Sequence, residues 1–275
     1  MEYREQYQRY VAMVEETIEQ ILPQTEEECP SETRIPKRLC EAMRYSLLAG
    51  GKRVRPVLLL ATCEMLGGDV EQARVPAAAL EMIHTYSLIH DDLPGMDNDD
   101  YRRGRLTNHK VFGEGFAILA GDGLLNYAYE CILNNALACG ENLEGHIRAA
   151  QEIARRAGVS GMVAGQSIDL LSEHHEPNEA TLRYIHTHKT ADLLTAPLLA
   201  AAYIAGADEK EISALATFGF CVGLAFQIDD DLLDVIGDSK DMGKQTGMDE
   251  QRGKMTWPGL VGVEAAQKKS RELWT

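Results

Sequence analysis

Apolar residues recur at helical spacing along almost the whole chain, and no convincing run alternates apolar and polar as a half-buried strand would. That pattern confines the fold to the all-α class. Glycines and prolines interrupt it where helices would begin and end. Helices are expected over 2–21, 36–49, 54–66, 75–93, 112–138, 143–157, 159–171, 178–189, 191–205, 209–235 and 254–273. The expected connectors are 23–35, 67–69, 94–107, 174–178 and 237–253. No internal repeat, low-complexity tract or flexible linker divides the 275 residues, so one domain over 1–275 is expected. Segment 209–235 is apolar almost all round, with Phe218, Phe220, Val222, Leu224, Phe226, Ile228, Leu232 and Leu233, and is expected inside a bundle; 75–93 is similar.

Charge narrows the function. Lys and Arg number 27 against 43 Asp and Glu, a net charge of −16. Such a surface repels nucleic acid and anionic lipid heads, and no basic tract overrides it. A phosphorylated substrate would be repelled too, unless metal ions or local Lys and Arg groups reverse the sign. Cys29, Cys40, Cys63, Cys131, Cys139 and Cys221 are scattered without a CxxC pair, which reads as reduced thiols. The first residues, MEYREQYQRYVAMVEE, lack the apolar stretch of a secretory leader. The most apolar run, 193–205, is interrupted by Thr195 and Pro197 and is shorter than the ~20 residues that span a bilayer. A cytoplasmic location, with neither nucleic acid nor membrane as partner, is the expectation.

Two aspartate clusters close two of the apolar helices. In HDDLPGMDNDD, residues 90–100, Asp91 and Asp92 end the run ALEMIHTYSLI, and Asp97 lies six residues past Asp91. In a continuous helix that spacing puts Asp97 far round the cylinder. Pro94 and Gly95 break the helix and let Asp97 come back toward Asp91. In FQIDDDLLD, residues 226–234, Gln227, Asp230, Asp231 and Asp234 form one polar stripe, while Asp229 lies off it toward solvent. Stacked carboxylates repel, and helix C-termini disfavour negative charge. A cation resolves both costs. Oxygen-only donors without His or Cys select hard ions, Mg²⁺ above all where phosphates complete the shell. An EF-hand reading of 97–102 fails, because Arg102 stands where that loop needs Gly.

The cations are local. GGKRVRP, residues 50–56, crowds Lys52, Arg53 and Arg55 into a short arc. Cations at a helix start oppose its dipole, and a bound anion removes the conflict. Arg102 and Arg103 follow the first acid cluster, and Lys189-Thr190 and Gly243-Lys244 come later. Lys serves phosphate as a point charge and Arg as a fork. His84 shares a helix face with Asp91, seven residues on; a lone His is more often structural than a ligand.

With these residues assembled, 36–262 resembles the trans-polyprenyl diphosphate synthases, specifically farnesyl and geranylgeranyl diphosphate synthases. The motifs are GGKRVRP, DDLPGMD followed by RRG, NHKVFGEGFAILAGDGLL, GMVAGQSIDL, the His-Lys-Thr of 188–190, FQIDDDLLD and GKQTGMD. The resemblance implies an antiparallel helical bundle of the isoprenoid synthase type around a deep apolar cavity, normally a homodimer. It implies that Asp91, Asp97 and Asp230 bind three Mg²⁺ ions, supported by Asp92, Asp231 and Asp234. Arg102, Lys189 and Lys244 would hold the allylic diphosphate, and Lys52, Arg55, His84 and Arg103 isopentenyl diphosphate. Thr190 and Gln227 would set oxygen dipoles near the developing cation. Tyr86 and Ser87, five and four residues before Asp91, would limit product length; an aromatic at Tyr86 goes with the fifteen-carbon product, farnesyl diphosphate. Family members generally continue past 270–275 by two further helices, which this chain is expected to lack.

The nearest alternative is a geranylgeranyl synthase. A terpene cyclase would carry an Asn-Ser-Glu-type metal motif in place of the second DDxxD and has no need of GGKRVRP. An inactive subunit of a heteromeric synthase typically loses an aspartate motif, and both are present here.

Overall fold

A computed structural model describes residues 2–24, 35–140, 142–176, 178–237 and 253–275. By contacts the chain falls into two compact units, 1–150 and 151–275. The first is built from α1 (Tyr3–Ile21), α2 (Lys37–Leu47), α3 (Val54–Met65), α4 (Val70–Asp91), α5 (Asn108–Phe112) and α6 (Glu114–Ala138), with a hairpin of β1 (Tyr101–Arg102) and β2 (Arg105–Leu106). Helix α7 (Leu143–Ala157) runs from one unit into the other. The second holds α8 (Met162–Ser172), α9 (Glu179–Ile185), a π-helical segment His186–Ala191, α10 (Asp192–Ala205), α11 (Glu209–Ile236), α12 (Trp257–Val261) and α13 (Val263–Trp274).

Periodicity explains the burial in the first unit. Helix α1 buries Tyr10, Val14, Thr17 and Ile18, one stripe at helical spacing. Helix α4 is buried on all sides from Ala77 to Ile83. It begins five residues earlier than expected, because Asp69 caps it by accepting from the Glu71 amide at 3.0 Å. Pro76 then lies inside the helix and cannot donate to the Gln72 carbonyl. Asn135 of α6 supplies the missing donor at 3.1 Å. The two helices meet again at Gly121, where a Cβ would lie 2.1 Å from His90 Nε2, and that nitrogen sits 3.1 Å from the Ile118 carbonyl. Only a residue without a side chain leaves a notch for the His90 ring.

In the second unit, Asp208 and Glu211 form a reciprocal capping box that starts α11. Helix α11 packs on the π-helical segment so closely that a Cβ at Gly223 would lie 2.4 Å from Ala191 Cα. Leu182, Ile228, Leu232, Met255, Trp257 and Ala266 make a separate apolar cluster.

Several expectations change. Segments 112–138 and 254–273 each divide at a glycine of positive φ, Gly113 at 87° and Gly262 at 83°. The chain from 179 to 205 is continuous helix through a π-helical turn, with no break at 190. The two-residue hairpin has no counterpart in the strand pattern, because it is made by a turn with positive φ at Arg103 and Gly104. Helix α11 is not enclosed: Phe218 is 53% exposed, and Phe220, Phe226 and Leu233 are exposed as well. An apolar periodicity wider than one face says which residues tolerate burial, not which receive it. Cys40, Cys63 and Cys131 are buried free thiols, Cys221 is a half-buried free thiol, Cys139 is half-buried with its sulfur 3.0 Å from the Ala136 carbonyl, and Cys29 lies outside the described residues.

Replacing Gly121 by Ala should lower stability by about 1–3 kcal/mol, the range for forcing extra atoms into a packed contact. The urea midpoint reads this. An unchanged midpoint would mean that His90 and α6 separate freely.

Candidate active site

The first acid cluster is assembled by backbone geometry. Past the end of α4, the Met96 and Asn98 amides both donate to the Leu93 carbonyl, at 2.9 and 3.1 Å. The Asp97 amide donates to the Asp91 carbonyl at 2.8 Å. The return read from Pro94-Gly95 is therefore present, and Asp91 and Asp97, both half-buried, share one turn. Asp92 points elsewhere. It is 3% exposed and takes the Arg102 Nε at 2.8 and 3.0 Å and the Arg102 Nη2 at 2.6 Å. Burial pushes the Asp92 carboxyl above its ordinary range, and Arg102 pulls against that. Burial also pulls the Arg102 guanidinium down, and its bonds to Asp92 more than restore it. Arg102, read from sequence as a phosphate ligand, here braces the hairpin against the motif.

The three cations of GGKRVRP have three fates. Lys52 is exposed. Arg53 is wholly buried on Glu81, Glu15 and the Leu47 carbonyl at 2.9, 2.7 and 2.8 Å. Arg55 is half-buried with its Nη1 3.4 Å from His84 Nε2. Arg carries no acceptor, so that His84 nitrogen accepts and the ring is neutral. Burial, then the charges of Arg55 and Arg103, push His84 well below 6.5. Burial also pulls Arg55 down to about 10, with Glu81 opposing and Arg103 assisting. The buried Nε of Arg55 has no hydrogen-bond partner. Arg103, which is exposed, donates to the Gly50 carbonyl. A cation beside a neutral imidazole and a second cation is an electrostatic deficit that a bound anion fills.

On the same helix, Ser87 is half-buried with its hydroxyl on the His84 carbonyl at 2.9 Å. Tyr86 is 7% exposed and meets the His90 ring edge-on at 5.7 Å. Burial raises its phenol to about 12.

In the second unit, Thr190 Oγ1 donates to Gln227 Oε1 at 2.6 Å, and Gln227 Nε2 donates to Asp231 Oδ1 at 3.0 Å. The other Asp231 oxygen takes the Trp257 amide at 2.8 Å and lies 3.3 Å from His186 Nε2. Thr190 reaches Gln227 from the π-helical segment, a distortion common at functional sites. Lys189 Nζ sits on Asp169 Oδ2 at 2.5 Å. Asp230 is half-buried and Asp234 buried. Asp229 does not face solvent: Ser270 and Trp274 of α13 donate to it at 2.5 and 3.0 Å. Lys244 lies outside the described residues.

The donor set fits Mg²⁺. Asp91 and Asp97 in the first unit, and Asp230 in the second, are half-buried carboxylates, each a hard oxygen donor of the kind Mg²⁺ takes. Among the described residues no three His, Cys, Asp or Glu side chains form a ready-made cage. Mg²⁺ needs none, since it takes one or two carboxylates and fills its shell with water and phosphate oxygens. Sequence reading did not find Asp169, His186, Glu81 or the Trp257 amide. Each is a partner distant in sequence from the residue it holds, and only Asp169 and Glu81 fall in stretches already singled out.

His84 gives a pH dependence. The folded protein disfavours its charged form, so the unfolded chain takes the proton first. Its contribution is whole above about 6.5 and is lost as pH falls below that value. The acid-side decline in unfolding free energy should be shallower in His84→Gln. Equal slopes in the two proteins would show that His84 is not held neutral.

Residues 36–275 match the polyprenyl synthetase family. Geranylgeranyl pyrophosphate synthase 3, chloroplastic, of Arabidopsis thaliana is 49% identical over 245 residues, 87% of this chain and 67% of that protein. Dimethylallyltranstransferase of Fischerella ambigua is 48% identical over 86% of this chain and 68% of its own length. Among solved structures, an FPP/GFPP synthase from Zymomonas mobilis superimposes with a TM-score of 0.81 at 34% identity, covering 97% of this chain and 90% of that one. A geranyltransferase from Helicobacter pylori, complexed with magnesium and isoprenyl diphosphate, gives 0.80 at 30% identity, covering 98% and 88%. The all-helical fold, both aspartate motifs and these matches agree: the chain belongs to the polyprenyl synthetase family and is a prenyltransferase of isoprenoid biosynthesis.

Proposed function

We propose that this prenyltransferase joins isopentenyl diphosphate head to tail to dimethylallyl and geranyl diphosphates, releasing farnesyl diphosphate. The observation that carries the reading is the pairing of Asp91 and Asp97 on one turn by the 2.8 Å backbone bond, an oxygen-only site suited to a diphosphate-bound cation. Bound Mg²⁺ supplies positive charge against the leaving diphosphate. Asp91 and Asp97 of the first motif would hold it, as would Asp230 of the second, with Asp92, Asp231 and Asp234 in support. Lys189, Lys244 and, on release from Asp92, Arg102 would take the allylic diphosphate. Lys52, Arg55, His84 and Arg103 take isopentenyl diphosphate; neutral His84 leaves the charge to the arginines.

The allylic C–O bond breaks with its electron pair on the departing diphosphate. The isopentenyl double bond attacks the allylic cation. One proton leaves the new chain for the released diphosphate, so no side-chain base is required. Thr190 and Gln227, bonded to each other, turn oxygen dipoles toward the cation. The working form is a cytoplasmic homodimer.

Tyr86 supports the fifteen-carbon product: it is a bulky ring, held by burial and by His90, one turn before the first motif. The names of the relatives favour the second reading, a geranylgeranyl synthase. On either reading, chelator should abolish turnover and Mg²⁺ restore it. Asp91→Ala and Asp230→Ala should each lose at least ~10³-fold in rate, the scale of ~4 kcal/mol. Full rate in excess chelator would contradict the metal assignment. Tyr86→Ala should shift the product toward twenty carbons, since housing five more gains roughly 4 kcal/mol at ~0.8 per carbon. Chromatography of the products checks this. An active variant still stopping at fifteen carbons would remove Tyr86 from the role, and a wild type already making twenty would favour the second reading.

A further inference from the structure

We propose that α1 is a positioning element for the isopentenyl side of the site, acting through Tyr7 and Glu15. The inference rests on the reading above that Lys52 and Arg55 receive isopentenyl diphosphate. Neither Tyr7 nor Glu15 belongs to any motif, and both are half-buried.

The loop they touch is costly to hold. Gly50, Gly51 and Arg53 have φ of 80°, 144° and 50°. Arg53 has a Cβ, so its left-handed conformation persists only because the surroundings over-determine it. What holds it is a set of directed contacts. The side chain is fully enclosed, with Nη1 on the buried Glu81 at 2.9 Å, Nη2 on the Leu47 carbonyl at 2.8 Å and Nε on Glu15 at 2.7 Å. Two anions from different helices thus clamp one cation, and removing either leaves buried charge unbalanced. One residue earlier, the Tyr7 hydroxyl donates to the Lys52 carbonyl. Burial, then Tyr3 and Glu81, raise the Tyr7 phenol, so it remains a donor at neutral pH.

The consequence is geometric. Arg53 turned inward divides the motif: Lys52 before it stays exposed, and Arg55 after it sits in the first turn of α3 against His84. Glu81, the inner anchor, lies one turn before His84 on α4. The clamp therefore ties the two cationic residues and the imidazole to one frame, and α1 supplies its outer half. Neither Tyr7 nor Glu15 need touch substrate to set where Lys52 and Arg55 stand.

The test is steady-state kinetics of the full chain for Tyr7→Phe, Glu15→Gln and the double variant, with Arg55→Ala as reference. In the double variant, KM for isopentenyl diphosphate should rise by about fivefold or more, while kcat and the allylic KM stay within about twofold. Glu15→Asp, which keeps the charge, should recover part of that loss. A purely structural role would lower the urea midpoint and leave the KM ratio unmoved. The proposal is overturned if Arg55→Ala raises the isopentenyl KM and the double variant does not. If Arg55→Ala leaves that KM unchanged, the assignment of the isopentenyl side has failed, and the proposal falls with it.

Discussion

The hydrogen bond from the Asp97 amide to the Asp91 carbonyl is the contact on which the first motif depends. Without it the two carboxylates would point from different sides of a helix. Bringing them together concentrates negative charge at a helix C-terminus in a protein already at −16. That arrangement is unfavourable by itself, and a divalent cation would relieve it. On the proposed function, the motif aspartates would gather metal, and Lys52 and Arg55 would receive anions.

Holding cations apart requires that they not be neutralised internally. The structure does this unequally. Arg53 and Arg102 are each locked to carboxylates, and they shape the loops they sit on. Arg55 is kept beside a neutral imidazole instead, where burial has already weakened its hold on its proton. In the second unit the same economy appears in Asp231, whose two oxygens serve Gln227, His186 and the Trp257 amide. Through those bonds a motif aspartate aligns the Thr190–Gln227 pair and fastens the chain where α12 begins.

Much of this was legible in the sequence, and the reasons differ from residue to residue. The return of Asp97 was readable because Pro94 and Gly95 act locally. The helices were readable because burial stripes repeat at their own period, as in Tyr10, Val14 and Ile18. The individual fates of Lys52, Arg53 and Arg55 were not, because Glu15 and Glu81, which claim Arg53, are more than two dozen residues away in the chain. Asp229 was misplaced for the same reason: its donors, Ser270 and Trp274, lie on a different helix. The π-helical turn at 186–191 escaped because its wider i→i+5 turn shifts the apolar phase, which reads in sequence as a break between two helices at 190. The exposed phenylalanines of α11 show the limit of composition, which cannot separate an enclosed helix from one with an open apolar face.

The most direct measurement is a single incubation of the purified protein with Mg²⁺, labelled isopentenyl diphosphate and an allylic diphosphate primer, followed by chromatography of the products. The account predicts label in a chain longer than the primer by whole five-carbon units, dependent on both Mg²⁺ and primer. Folded protein that leaves all label in isopentenyl diphosphate, with every primer from dimethylallyl to farnesyl, would contradict it.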